Sequence, residues 1–399
     1  MEFRFDPEHL ELQRTVRRFL TEVSPEARVR ADAETAEGWD RRTWRRLCTE
    51  LELPALAVPE RFGGHGFGLT ELGIAFAEAG ASLLCAPLLS TSLAARAILE
   101  SGAEEPAAAQ LPALAAGTLT GTLAAHEPGR GWDDPATLAV RTDGCWTLTG
   151  HKNWVLDGHT AGLFVVSAAT GRGTALFLVD AAAPGLRTVP ADTVDPTRKA
   201  AALELSAVPA TPLGEAGAAA LRRTLDTGLV LLAAEQTGVA RHCLDMAGEY
   251  ARQREQFGRP IGMFQAVKHK LANVLLEVEA ATSAMMYALW AADHDPAELP
   301  SAAAIAAATC AEAALLAAGE NIQVHGGMGA TWEHPAHLYL KRATTSRLLL
   351  GDPQQHLERL AVHIGLDGPR AVAAPNGTSS HPERQEDAWQ DGWKAKSPS

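Results

Sequence analysis

The twelve residues from Arg254 to Gln265, REQFGRPIGMFQ, carry the most concentrated chemistry in the chain. A guanidinium (Arg254), an aromatic ring (Phe257) and a helix-opening amide (Gln265) surround a Gly258-Arg259-Pro260 break. Gly and Pro stop one helix there, and a second begins near Met263. The corner offers a cation to a diphosphate, a face to a flat ring and free amides at a helix N-terminus. A plain helix-turn-helix with a surface arginine fits the same spacing.

A second stretch, ENIQVHGGMGATWEHPAHLYLKRA over 320–343, ends an Ala-rich helix in Gly326-Gly327-Met328-Gly329. Glycines there permit positive φ and close approach of a ligand to bare backbone, or they serve only as a flexible cap. His325, just before them, could face a cavity or make a structural hydrogen bond. His334 and His337 stand three apart without the Cys or acid partners of a metal site, so no metal is expected.

These segments need elements to hold them. Helical periodicity runs from Pro7 to about Gly102, in EHLELQRTVRRFLTEV, WDRRTWRRLCTEL and LTELGIAFAEAGASLL. Short β-prone runs, WTLTGHKNWVL, LFVVSAA and TALFLVD, follow between Thr118 and Leu213. Long helices return at about Ala218–Arg254, Met263–Ala292, Leu299–Gln323 and around Pro335–Leu349, a set that favours a bundle. The expected organisation is mostly α with a β-insert: a helical domain over 1–117, a β-domain over 118–214, a four-helix bundle over 215–365 and a disordered polar tail over 366–399.

Composition agrees. With 399 residues, 46% hydrophobic and 21% charged, the chain is long enough for two or three cores. A net charge of −13 argues against general nucleic-acid binding, though a few local arginines still suffice for an anionic cofactor. Five cysteines without a CxxC pair point to a reducing cytoplasm. No export signal and no stretch of membrane-spanning length is read, so no membrane partner is expected.

Taken in this order, the segments resemble the acyl-CoA dehydrogenase flavoprotein family up to about Leu366. WRRLCTELELPALAVPERFGGHGFGLTELGIAFAEAG is similar to its first domain, and HEPGRGWDD with GHKNWVLDGHTAGLFVV to its flavin-contacting β-domain. The R-x-Q-F-G-x-P-I-x-x-F-Q pattern from Arg254 to Gln265 is the most specific match. The resemblance implies a dimer of dimers with FAD between the β-domain and the bundle, its ADP half reaching a neighbouring subunit. It places Arg254 against the pyrophosphate, Phe257 near the adenosine, and Gln265 in seating the cofactor. Gln323, Gly326 and Gly327 would line the ADP portion from the adjacent protomer, Trp154 would stack beside the isoalloxazine, and Gln354 would border the FAD. Partners implied are an acyl-CoA or acyl-carrier-protein thioester and an electron acceptor.

The family reaction removes the α-proton of the thioester with a Glu while the β-hydride passes to flavin N5, and such a base in a dry pocket is central to the rate. At the usual Glu position this chain has Leu350, and at the alternative position on the first long bundle helix it has Gly228. Family hydroxyls are replaced by His126, Trp132 and Leu156. Glu235, two turns along from Gly228, and Asp352, two residues beyond Leu350, are the substitute bases to consider. Their plainer readings are a buried structural acid and the N-cap of a helix opening at Pro353. Two functions stay open: an FAD-dependent acyl-thioester dehydrogenase with an unconventional base, as a homodimer or homotetramer, or a catalytically silent subunit paired with a catalytic homologue.

Overall fold

The computed structural model describes residues 5–366; the expected tail lies outside the described residues but for Leu366. Six helices come first: α1 Pro7–Val23, α2 Glu26–Glu34, α3 Arg41–Glu50, α4 Leu69–Ala81, α5 Leu88–Glu100 and α6 Glu104–Ala115. Local chemistry sets their starts. Asp6 caps α1, accepting from His9 N at 2.8 Å with Pro7 in the first turn, and Asp40 caps α3 through Thr43 N at 2.8 Å. The start of α4 is capped from afar. The Asp293 carboxylate accepts from Leu69 N (2.6 Å) and Thr70 N (3.0 Å), fastening the first domain to the bundle.

Seven strands follow: β1 Gly121–Ala124, β2 Leu138–Thr142, β3 Cys145–Leu156, β4 Leu163–Thr170, β5 Gly173–Asp180, β6 Leu186–Pro190 and β7 Ala200–Pro212. Strand β5 pairs with both β4 and β7, so β4, β2, β3, β7 and β5 close on themselves. β1 adds to β4 in parallel and β6 to β7. Closure leaves only β1 and β6, among the described strands of this sheet, paired on one side alone. Phe164, Val166, Phe177, Leu203 and Val208 fill the interior.

The chain then forms α7 Gly217–Gln253, a two-stranded hairpin of β8 Glu255–Gln256 and β9 Arg259–Pro260, α8 Gln265–His294, α9 Leu299–His325, α10 Ala336–Ser346 and α11 Pro353–His363. Three long helices pack together, and the fourth place is shared by α10 and α11, both resting on α9. Buried alanines on α9, among them Ala302, Ala303, Ala306, Ala313 and Ala317, allow close helix approach. The crossing of α4 over α7 is closer still. A Cβ at Gly238 would lie 1.8 Å from Ala77 O and one at Gly80 2.0 Å from Glu235 O, so only glycine fits either place.

One sequence expectation is corrected here. Two stretches, Gln265–His294 and Leu299–Ala330, are long and apolar enough to cross a membrane by length and composition. Their apolarity has another use: both belong to the bundle, and the most apolar window of the second is 67% buried inside it.

Candidate cofactor and base site

The corner between α7 and α8 is a built hairpin rather than a simple break. Arg254 leaves the helix in an extended conformation, and Ile261 N donates to its carbonyl at 2.7 Å. Phe257 (φ 53°) and Gly258 (φ 74°) make the turn between β8 and β9, two consecutive positive φ values as tight hairpins require. The Phe257 ring is left 93% exposed, edge-on to Phe264 at 6.0 Å, and the Arg259 guanidinium lies over Phe264 at 4.3 Å. Gln265 opens α8 and contacts His269 through its amide at 2.8 Å.

The end of α9 stands beside this corner. Tyr250, one turn before Arg254, stacks on His325 at 4.2 Å, and His325 also meets His334 at 4.3 Å. His325 is buried with Nδ1 2.8 Å from Asn321 O, which makes its place structural. The next residue, Gly326, has φ 62° and ψ −141°, a conformation reserved for glycine. Gln323, Gly326 and Gly327 are exposed, and open space surrounds both glycines where a Cβ would stand. The Tyr250–His325 stack thus sets the two motifs side by side, with a cation, an exposed ring and bare backbone.

In the β-domain, Lys152 pairs with Leu203 and Val155 with Ala201, leaving Asn153 and Trp154 opposite a single residue. This bulge puts Trp154 at φ 55° and leaves it 46% exposed. Its base is rigid. Lys152, wholly buried, donates to Glu127 Oε1 at 2.6 Å and Ser167 Oγ at 3.1 Å, while Glu127 accepts from Ala136 N, Thr137 N and Thr137 Oγ1. Burial alone would raise the Glu127 carboxyl, but Lys152 and Thr137 outweigh it and hold it down to about 2. Asn153 N donates to His126 O at 2.9 Å, so the bulge is tied to the HEP segment. His126 leans on Trp132 at 4.9 Å, and its Nδ1 is buried without a partner.

Gly228 and Leu350, the two positions where the resemblance would put a base, converge. Leu350 (φ 63°) and Gly351 (φ 117°) form the turn between α10 and α11, and this aims Leu350 at α7. A Cβ built on Gly228 would meet Leu350 Cδ1 at 2.8 Å and Leu93 Cδ2 at 2.7 Å. The meeting point is wholly apolar.

Neither substitute acid is free. Glu235, 4% exposed, spends both oxygens on arginines: Arg342 Nη1 at 3.1 Å and Arg198 Nη2. Arg342 also donates to Asp195 Oδ2 (2.8 Å) and Thr197 O (2.8 Å), so one buried network joins α7, α10 and the loop before β7. Burial pushes the Glu235 carboxyl up, and the two guanidinium groups more than reverse this. Asp352 caps α11: its carboxylate accepts from Gln355 N at 2.9 Å, and Gln355 Oε1 accepts from Asp352 N at 3.1 Å. Gln354 lies exposed in the first turn of α11, 3.3 Å from Glu358 Oε1. Sequence reasoning did not find Arg198, Arg342 or Asp195, since no local pattern marks partners so far apart.

The chemistry of these residues fits FAD: Arg254 offers a cation, Gly326 and Gly327 offer bare backbone, and Trp154 an exposed indole with the orphaned His126 Nδ1 beside its bulge. A helical domain, a closed β-domain and a helical bundle with such a site define a flavoprotein of the dehydrogenase type. Three family descriptions match in succession: acyl-CoA dehydrogenase N-terminal domain over 6–118, middle domain over 122–208 and C-terminal domain over 215–365. The chain belongs to the acyl-CoA dehydrogenase family, whose cofactor is FAD. It is 37% identical over 354 residues to acyl-CoA dehydrogenase IpdE2 of Mycobacterium tuberculosis, covering 88% of this chain and 96% of that protein. Among solved structures it is similar to a variant of the Tcur3481-Tcur3483 steroid ACAD (TM-score 0.84, 36% identity, 90% of this chain and 98% of that one). It is also similar to a chain of the ChsE4-ChsE5 complex of Mycobacterium tuberculosis (TM-score 0.86, 30% identity, 92% and 100%).

Proposed function

We propose that this chain takes part in FAD-dependent α,β-desaturation of acyl-CoA as the base-lacking member of a mixed assembly, a homologous chain supplying the proton-abstracting carboxylate. The observation that carries this is the apolar contact of Gly228, Leu350 and Leu93 at the point where both base positions of the family meet. An α-proton needs an acceptor within hydrogen-bond reach, and no side chain at that point can accept one. The ion pairs of Glu235 and the capping bonds of Asp352 support leaving both out of the chemistry.

What the chain keeps is a cofactor surface. In this reading Arg254 neutralises the pyrophosphate, Phe257 packs near the adenosine, Gln265 helps seat the cofactor, and Gln323, Gly326 and Gly327 of the adjacent protomer line the ADP portion. Trp154 and Gln354 flank the flavin end. The chemistry that FAD supplies when bound is acceptance of a hydride at N5. Two similar structures bear paired names, Tcur3481-Tcur3483 and ChsE4-ChsE5, which favours the mixed assembly over a single-chain oligomer. We place the protein in the cytoplasm, in keeping with its five free thiols, and take an electron acceptor to reoxidise the flavin.

The test is flavin bleaching under anaerobic addition of mixed acyl-CoAs. The chain purified alone should show none, and the chain co-expressed with an acyl-CoA dehydrogenase homologue from the same source should bleach. Asp352→Asn, which keeps the cap, should leave that activity within about twofold. A yellow preparation of this chain alone that acyl-CoA bleaches would overturn the proposal.

A further inference from the structure

Away from the cofactor surface, Ser92 and Arg96 on α5 and Thr227 on α7 line a single pit of about 20 Å³. Ser92 Oγ, Arg96 Nε and Thr227 Oγ1 are all buried without a hydrogen-bond partner. Thr227 is 1% exposed. A buried polar group left unpaired costs about 1–3 kcal/mol, so three sharing one pit point to something that binds there.

Other helical hydroxyls of this molecule show the contrast. Thr224, Thr237, Thr282 and Thr344 each donate to the carbonyl four residues back. Ser92 and Thr227 do not use that outlet. Charge decides what would use them instead. Arg96 and Arg223 both pair with the one carboxylate of Glu100, leaving a surplus positive charge, and no carboxylate lines the pit. Arg96 Nε–H can only donate and both hydroxyls can donate, while Val58, Leu72 and Leu231 supply apolar wall. Three donors, one surplus cation and room for about one water-sized group match a single anionic acceptor atom.

We infer that this pit is a binding site for a small monovalent anion, either a halide or one oxygen of a short carboxylate. Its neighbours in sequence are Leu93 and Gly228, so a bound anion also braces the α5–α7 wall behind the apolar contact with Leu350.

The experiment is the melting temperature of the full-length chain in chloride and in formate series, ionic strength being held with a bulky sulfonate salt. A rise of about 2 °C is expected when the anion exceeds its Kd about tenfold, growing with the logarithm of its concentration beyond that. Response to chloride alone identifies a halide site, and response to formate alone a carboxylate site. Thr227→Val should abolish the rise without lowering the anion-free melting temperature, and Ser92→Ala should weaken it, which covers the case of a Thr227 variant that does not fold. No anion response, or the same response in wild type and both variants, would mean a structural water only and would overturn the inference.

Discussion

Gly228 on α7 and Leu350 on the turn after α10 face each other so closely that a methyl added to Gly228 would stand 2.8 Å from Leu350 Cδ1. Two positions far apart in sequence, each able in the resembled family to hold a base, here close one apolar gap. The strained left-handed backbone at Leu350, costing about 1–2 kcal/mol, persists because this packing and Gly351 over-determine it.

Gly228→Ala is accordingly expected to overpack the site and destabilise the chain by about 1–2 kcal/mol, despite alanine's better helix propensity. In a Leu350→Ala background the same change should cost less, since one of its two close contacts is gone. Urea denaturation of the four proteins in a double-mutant cycle reads the coupling, and additive effects would show that the residues do not touch.

The Glu235 carboxylate is the hinge of the buried network with Arg198 and Arg342. Glu235→Gln removes the carboxylate that both guanidinium groups share, leaving Arg342 on Asp195 and Arg198 without its ion-pair partner inside the protein, and a loss of about 3–5 kcal/mol is expected. A variant of wild-type stability whose activity alone falls would return Glu235 to the list of bases.

His356, 6% exposed, packs against the Leu350–Gly351 turn: a Cβ on Gly351 would touch its Cε1 at 2.9 Å. Burial, then the Arg359 guanidinium, pushes its imidazole down to about 4 from 6.5. The unfolded chain therefore binds a proton that the folded chain refuses between those values. The contribution is complete above about pH 6.5 and is lost as the pH falls toward 4, amounting to about 3 kcal/mol for the shift of about 2.5. Stability measured from pH 7 to pH 4 should fall less steeply in His356→Gln than in wild type; parallel curves would refute the assignment.

Arg254 stands at the end of α7 with its backbone fixed by the hairpin, so its truncation should spare the fold. Arg254→Ala is expected to weaken FAD retention by about 1.5–3 kcal/mol, the worth of a hydrogen bond to a charged group. Flavin absorbance per chain after gel filtration of the mixed assembly is the readout. Unchanged flavin content would remove Arg254 from the cofactor surface.

Much of the fold was legible because its signals are local. The expected helices Ala218–Arg254 and Leu299–Gln323 are observed as Gly217–Gln253 and Leu299–His325, since helix ends answer to residues within a turn or two. From sequence the corner at Gly258-Arg259-Pro260 reads as a simple break. It is a hairpin, because Phe257 takes a positive φ that its residue type does not announce.

The sequence by itself determined that no carboxyl group stands at position 228 or 350, that a Gly-Pro corner follows Arg254, and that Asp352 with Pro353 opens a helix. Only the tertiary structure decided that Gly228 meets Leu350, that Glu235 is consumed by Arg198 and Arg342, and that Tyr250 joins the Arg254 corner to the Gly326-Gly327 turn through His325. The division is physical. Capping and turn chemistry act over a few bonds and can be read along the chain, whereas the partner of a buried charge or the neighbour of a glycine is set by how whole helices pack.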